Sequence, residues 1–404
     1  MNSAYNLVAS KIRDDEIKQL LFDLIRIPSV NPECSIYNES DETEIVEYLF
    51  EKLSDFGLKP EKQNVDGNRS NIVVKIRGTG QKKLVFNGHL DTVSGDGMQD
   101  PFTPKVSGGR VYGRGASDMK AGLAAMIEAA KAIISSGVQL SGELILSFVV
   151  DEENSGIGTR RFLACEHPDF AIVGEPTRNK IGLAQAGYIE LKLESRGEMR
   201  HGSTLKVGEN RSAYVNTVRI LNEILALPIL KKTKNYLDTV MHNTVNFCLR
   251  EQRESTSHEW ALVDFCRSGI LIGVLPDKNA TESCKIEEDI IKGLENLIDK
   301  SNKNGEHNKL SYHKMHGFTQ SRDKFVRRFE RTVDGVQGAC KHIYFPSFCD
   351  AAFFHNKGIP TLLYGPGQIE LGHGSNESVD LNQVNQATRT YANAALGILN
   401  TLPK

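Results

Sequence analysis

The sequence predicts an α/β fold, a mostly parallel sheet flanked by helices, interrupted by a smaller α+β insertion. Three observations carry this. Near-continuous apolar runs, "NIVVKI", "KLVFNG", "ELILSFVV" and "DFAIVG", alternate with helical stretches such as "DMKAGLAAMIEAAKAIISSG". Strands apolar on both faces, separated by helices, indicate a sheet covered on both sides. After Leu183 the pattern changes to "YIELKLES", where Ile189, Leu191 and Leu193 alternate with Glu190, Lys192 and Glu194, the mark of a strand with one wet face. Finally, 404 residues exceed what one hydrophobic core of about 250–300 residues serves.

Taken in order, Ile17, Leu20, Leu21, Leu24 and Ile25 recur at helical spacing from Asp14 and Pro28 ends the pattern. A second helix, "ETEIVEYLFEKLSDFG", stops at Gly57. The four strands and the Ala-rich helix follow. In the insertion, a helix with Tyr214, Val218, Leu221 and Leu225 along one side leads to polar sequence around "DKSNKNGEHNK". The tail resumes with "HIYFP" and "IPTLLYGPG" as strands of the first sheet. Residues 1–183 and 317–404 are therefore expected to form one domain and 184–316 a second. There is no internal repeat and no low-complexity tract.

A net charge of −2 with intermixed signs gives no reason to expect nucleic acid or a membrane surface as partner, and points to a small molecule. The first 32 residues lack the basic, apolar and small-residue succession of a signal peptide, and no stretch is apolar enough to span a bilayer, so a cytoplasmic location is expected. Seven scattered cysteines without C-x-x-C spacing argue against a disulfide framework and a thiolate metal cluster.

Polar groups gather where apolar strands end. His89 and Asp91 in "NGHLDTV" lie two apart, on the same side of an extended chain. Asp118 stands at the mouth of the Ala-rich helix, Asp151, Glu152 and Glu153 follow "SFVV", Glu175 follows "AIVG", and "GHGSNE" adds His373. Each has a bland reading, as helix cap, solvated charge or turn residue. Open parallel sheets bind ligands at the carboxyl ends of their strands, however, and carboxylates gathered there repel one another unless a cation joins them. Two imidazoles with carboxylates and no cysteine favour zinc, or cobalt or manganese, over calcium. The number of ligands suggests two ions, about 3.5–4 Å apart if a carboxylate bridges them. "GGRVYGRGAS" lacks both the G-x-G-x-x-G spacing and the Walker lysine of nucleotide-binding loops.

In order and spacing, "NGHLDTV", "GRGASDMKAG", "DEENSG", "GEPT", "RHGS" and "GHGSNE" resemble the motifs of the M20 metallopeptidase and deacylase family, over nearly the whole chain. That family includes acetylornithine deacetylase, succinyl-diaminopimelate desuccinylase, aminoacylase and glutamate-releasing carboxypeptidases. The resemblance implies a di-zinc exopeptidase-like catalytic domain and a lid domain through which subunits form a homodimer. It implies that Asp118 bridges the metals, His89 and Glu175 complete one, and Glu153 and His373 the other. Glu152 would be the general base, Asp91 would hold the tautomer of His89, and His201 would reach the substrate from the partner subunit. Gly365 and Gly367 match the loop that lies near substrate.

The lid departs from the family. Gly273 stands where an asparagine is expected, and no arginine follows to grip a substrate carboxylate. Lys285 lacks the planar fork for that task; Arg250 or Arg253 are alternatives. The expected reaction is hydrolysis of an N-acylated amino acid or related small amine. The alternatives are a dipeptidase or carboxypeptidase of the same family, and a non-catalytic binding protein that keeps the fold.

Overall fold

The computed structural model describes residues 2–34, 40–198, 200–204, 212–231, 233–236, 239–253, 262–276, 280–303 and 307–401. It contains two compact units, one of residues 1–183, 320–345 and 349–404, the other of 184–319 and 346–348.

The first unit is built on a sheet whose central strands run in the order Glu143–Val149, Lys83–His89, Phe170–Val173 and Thr361–Leu363, all parallel. Antiparallel strands flank them. Arg69–Ile76 pairs with Glu143–Val149 and forms a hairpin with Pro60–Asp66, while Ile181–Gln185 pairs with Thr361–Leu363 on the other side. "NIVVKI" therefore runs against the central strands, and the tight turn at Gly67 (φ +52°) sets Pro60–Asp66 antiparallel beside it at the sheet edge. "HIYFP" supplies His342–Phe345, which pairs with Ile181–Gln185.

Helices cover this sheet. Lys120–Ser135 packs against Asp14–Arg26 and Leu381–Thr401, and the last of these against Lys324–Gln337. A separate pair, Ile157–Cys165 and Ala351–Asn356, packs on the strands as well. Asp14–Arg26 buries Ile17, Leu20, Leu21, Leu24 and Ile25, the residues its periodicity singles out. Lys120–Ser135 is buried nearly all round, and its alanines, with Gly122, let neighbours approach that closely.

Register is what makes a site possible. Asn87 pairs with both Ser147 and Val173, and His89 with Val149, so three parallel strands end at nearly one level. Residues 89–91, 150–153 and 174–175 thus emerge at the same rim.

In the second unit, strands Thr244–Arg253, Phe265–Val274, Gly187–Arg196 and His307–Met315 form an antiparallel sheet with helices Ala213–Leu225 and Ala280–Lys303 against it. Its core joins Ile189, Leu191 and Leu193 to Ile220, Ile224, Ile270, Ile290 and Leu294. The side of Ala213–Leu225 that looked most apolar is largely not the inward one. Ala213, Asn216, Thr217, Ile220 and Ile224 are buried, whereas Tyr214, Val218 and Leu225 are exposed. Arg250 and Arg253 fall on Thr244–Arg253, and residues 254–260 lie outside the described ones. At Gly273 a Cβ would come within 2.2 Å of Thr244 Oγ1, so an asparagine there would have to turn that exposed hydroxyl aside.

Cys34, Cys165, Cys266, Cys340 and Cys349 form no disulfide. Among the described residues no helix is long and apolar enough to cross a membrane.

Candidate metal centre

His89 is the last residue of its strand and is buried. Its Nε2 lies 3.1 Å from Asp118 Oδ1. Asp118 precedes helix Lys120–Ser135 without capping it: Met119 holds the cap position, and no side chain bonds the first turn. The carboxylate is thereby left facing the rim, its second oxygen 3.5 Å from Nε2 of His373. His373, in the left-handed region at φ +60° on an exposed loop, also reaches Glu153, with Nε2 3.0 Å from Oε2. One ligand atom each from His89, Asp118 and Glu153 lie within 4.8 Å of one another. Asp118 thus stands between two imidazoles, one on each oxygen.

Glu152 and Glu153 come from a turn that begins at Asp151, itself left-handed at φ +67°. Asp91 holds that turn. Its Oδ1 accepts the backbone N–H of Glu152 at 3.2 Å and its Oδ2 that of Glu153 at 3.0 Å. Asp91 also faces His89 with two of its oxygens. His89 Nδ1 is 2.9 Å from the main-chain oxygen of Asp91 and 3.6 Å from its Oδ1. The carbonyl is the nearer contact, and the carboxylate serves the turn while still facing the ring.

The electrostatics are those of crowded anions. Burial, reinforced by Glu175, Asp350 and Glu153 and opposed by His89, raises the Glu152 carboxyl well above its usual range. Glu175 is raised in the same way, by burial and then by Asp118. Burial also raises Glu153, against the hydrogen bond from His373. Burial works against charge on His89, but its bonds to Asp118 and Asp91 outweigh it and raise the imidazole well above its usual value. His373, bonded to Glu153, is pushed up to about 9.

Carboxyls crowded and buried in this way favour a proton or a cation over bare charge. Glu175 Oε1 is buried with no hydrogen-bond partner, and among the described residues no lysine or arginine pairs with Asp118, Glu152, Glu153 or Glu175. Imidazole nitrogens and carboxylate oxygens without thiolates fit divalent cations of the zinc, cobalt or manganese kind.

Gly365 and Gly367 lie against two of these loops. A Cβ on Gly365 would fall 2.3 Å from the Gly174 oxygen and 2.6 Å from that of Glu175; on Gly367, at φ +93°, it would fall 2.5 Å from Ser117 Oγ. Their carbonyls accept from Asn179 and Arg178, so both glycines brace the Glu175 loop from behind. His201 belongs to the other compact unit, where its Nδ1 lies 2.8 Å from Ser203 Oγ.

Sequence reading passed over four residues. Glu377, fully buried, accepts the backbone N–H groups of Gly115, Ser117 and Asp118 and the Arg114 guanidinium, and so shapes the Asp118 loop. It sits inside the quoted "GHGSNE", a signal that could have found it. Asp350 accepts from Thr159 at 2.7 Å. Arg114 likewise sits inside the quoted "GRGASDMKAG", whereas Asn31 carries no local mark.

Fold and site together define a hydrolase of the open α/β type with a carboxylate–imidazole centre. The chain belongs to peptidase family M20/M25/M40, whose model matches residues 85–397. Among curated relatives, the N-formyl-4-amino-5-aminomethyl-2-methylpyrimidine deformylase of Bacillus subtilis (strain 168) is 27% identical over 375 residues, 83% of this chain and 85% of that one. The acetylornithine deacetylase of Proteus mirabilis (strain HI4320) is 28% identical, covering 90% and 92%. Among solved structures, YXEP of Bacillus subtilis, described as a dinuclear metal binding peptidase from the M20 family, superimposes with a TM-score of 0.64 at 13% identity, covering 96% and 99%.

Proposed function

We propose that the protein is a metal-dependent amidohydrolase that removes an acyl group of acetyl, succinyl or formyl type from the nitrogen of an amino acid or related small amine. The observation that carries this is Asp118 between His89 and His373, with Glu152 on the adjoining turn. Two divalent cations, zinc by donor type, would be held by His89 and Glu175 on one side and by Glu153 and His373 on the other, with Asp118 shared. Bound there, such cations supply Lewis acidity that makes water a nucleophile near neutral pH and polarises the scissile carbonyl.

The chain's own residues do the rest. Glu152 accepts a proton from the attacking water on a carboxylate oxygen and delivers it to the departing nitrogen. Water adds its oxygen to the acyl carbon, the C–N bond breaks, and a carboxylic acid and a free amine leave. A raised carboxyl such as that of Glu152 suits both halves of this cycle. His201 of the partner subunit would donate to the developing oxyanion. The exposed stripe of Tyr214, Val218 and Leu225 supports a homodimer formed through the second unit.

The missing lid arginine favours substrates whose recognition does not depend on a carboxylate. The formyl-aminopyrimidine named in the Bacillus subtilis relative is of that kind. A second reading, peptide hydrolysis at the same centre, is favoured by the solved peptidase above. Free-amine release from N-formyl, N-acetyl and N-succinyl amines and from dipeptides, by zinc-loaded wild type beside Glu152→Gln, tests both. Turnover of acylated amines by wild type alone is expected. Turnover of dipeptides alone would replace the first reading by the second, and equal inactivity of both proteins with metal bound would reject both.

A further inference from the structure

The segment that follows the first long helix is built into the centre without contributing any of its proposed ligands. Helix Asp14–Arg26 ends with carbonyls that lack partners within the helix, as every helix end does. Lys120, fully buried on the helix after Asp118, donates from Nζ to two of the oxygens there, Leu24 at 2.9 Å and Ile27 at 2.7 Å. This anchors the chain as it leaves the helix. Residues 29–31 then run beside the exit of the His89 strand. Ser29 Oγ donates to the Leu90 carbonyl at 2.7 Å, Thr92 N–H to the Ser29 carbonyl at 2.9 Å, and Asn31 N–H to the Thr92 carbonyl at 2.9 Å.

The segment ends in a buried amide between two buried carboxylates. Asn31 Nδ2 donates to Asp91 Oδ2 at 2.8 Å and to Asp151 Oδ1 at 3.1 Å, while its Oδ1 accepts the backbone N–H of Glu33 at 3.0 Å. Asp151 takes a second partner, Arg69 Nη2 at 2.8 Å, and Arg69 is in turn paired with the buried Glu42. Among the described residues no arginine or lysine pairs with Asp91: its carboxylate is held by the Asn31 amide and by the two backbone N–H groups of the turn. Both ends of that turn are thereby tied to one side chain, Asp151 directly and Glu152 and Glu153 through Asp91.

We propose that Asn31 is a positioning residue for the catalytic turn, its amide locking Asp91 and Asp151 together so that the Glu152 carboxylate is presented at a fixed place. Asparagine suits the position for a physical reason. One NH2 group supplies two donors about a single nitrogen, matching two acceptors, and adds no charge beside two anions. Aspartate has the same shape but offers no donor in its ionised form and would add a third like charge. Serine is too short to span both. The function of the device rests on Glu152 as general base; its geometry does not.

The test uses zinc-loaded full-length Asn31→Ala, with Ser29→Ala as a control that loosens the same segment but leaves the amide in place. Residue-resolved hydrogen exchange of the 150–154 turn is measured beside kcat, KM and bound metal. Asn31→Ala is expected to lower kcat about 10–100-fold, the usual cost of losing an outer partner of such a centre, with KM and metal content unchanged. Exchange at Glu152 and Glu153 should accelerate, and Ser29→Ala should stay near wild type in all four readouts. Unchanged kcat and exchange in Asn31→Ala, a loss that tracks metal content, or an equal effect of Ser29→Ala would overturn the proposal. If Asn31→Ala does not fold, wild type decides: the Glu152 and Glu153 amides must exchange far more slowly than that of Asn154, and equal rates overturn it. Should Glu152→Gln prove as active as wild type, the base assignment fails, and the exchange data still judge the positioning role separately.

Discussion

His89 and Asp91 meet most closely through the main chain: the imidazole Nδ1 lies 2.9 Å from the Asp91 carbonyl oxygen, whereas the Asp91 carboxylate, 3.6 Å from Nδ1, accepts from the backbone of Glu152 and Glu153. A carbonyl can only accept, so Nδ1 carries the proton and Nε2 is the atom free to become a ligand. Asp91→Asn keeps that carbonyl but replaces one acceptor oxygen by a donor facing other donors. Bound metal should persist while kcat falls about 10–100-fold. Metal analysis beside steady-state kinetics checks this, and loss of metal in step with activity would show that the carboxylate serves His89 after all.

Metal affinity should climb with pH. His373, at about 9 when it faces Glu153 without a cation, must lose its proton to become a ligand, and so must the raised carboxyls of Glu153 and Glu175. Each displaced proton makes affinity rise about tenfold per pH unit. Competition with a chelator between pH 6 and 9 is expected to show a steep rise that flattens as pH passes about 9. A flat profile would rule out proton displacement at His373.

Asp350 gives a stability signature. Burial pushes its carboxyl up to about 7, against the hydrogen bond from Thr159. A raised carboxyl contributes stability below its unfolded value, near 3.8, and loses it as pH rises towards 7. Asp350→Asn, of the same shape and never charged, should therefore melt higher than wild type at pH 8 in the metal-free state and level with it at pH 4. Equal melting at both values would mean that ionised Asp350 is fully compensated.

Glu377→Ala should destabilise the metal-free protein by about 3–5 kcal/mol, because it leaves the buried Arg114 guanidinium and three backbone N–H groups without their acceptor. Urea unfolding measures it. A loss below about 1 kcal/mol, the scale of an exposed pair, would show that water replaces the carboxylate.

Glu175→Gln isolates one proposed ligand. Since Oε1 of Glu175 has no protein partner, the change removes no hydrogen bond from that oxygen and relieves a buried carboxyl whose ionisation is disfavoured. The variant should be at least as stable as wild type without metal and should bind one equivalent fewer. Full metal content would remove Glu175 from the ligand set.

Much of this molecule is written locally. The apolar residues of helix Asp14–Arg26, the alternation in Gly187–Arg196 and the polar groups at strand ends are all visible because secondary structure repeats with short periods and each motif lies within a few residues. The misread face of Ala213–Leu225 marks the limit. Both sides of that helix carry apolar residues, and periodicity cannot say which side meets a sheet.

The residue types of the centre, its strand-end positions and the alternation of strands and helices were therefore determined by the sequence alone. Which atoms meet was decided only in three dimensions. Asn31 reaches Asp91 across 60 residues and Glu377 reaches Ser117 across 260, and no short-range pattern encodes either. The cause is physical: a buried polar atom must find a partner wherever the packed chain supplies one, and that choice belongs to the register of the sheet and the path of the loops.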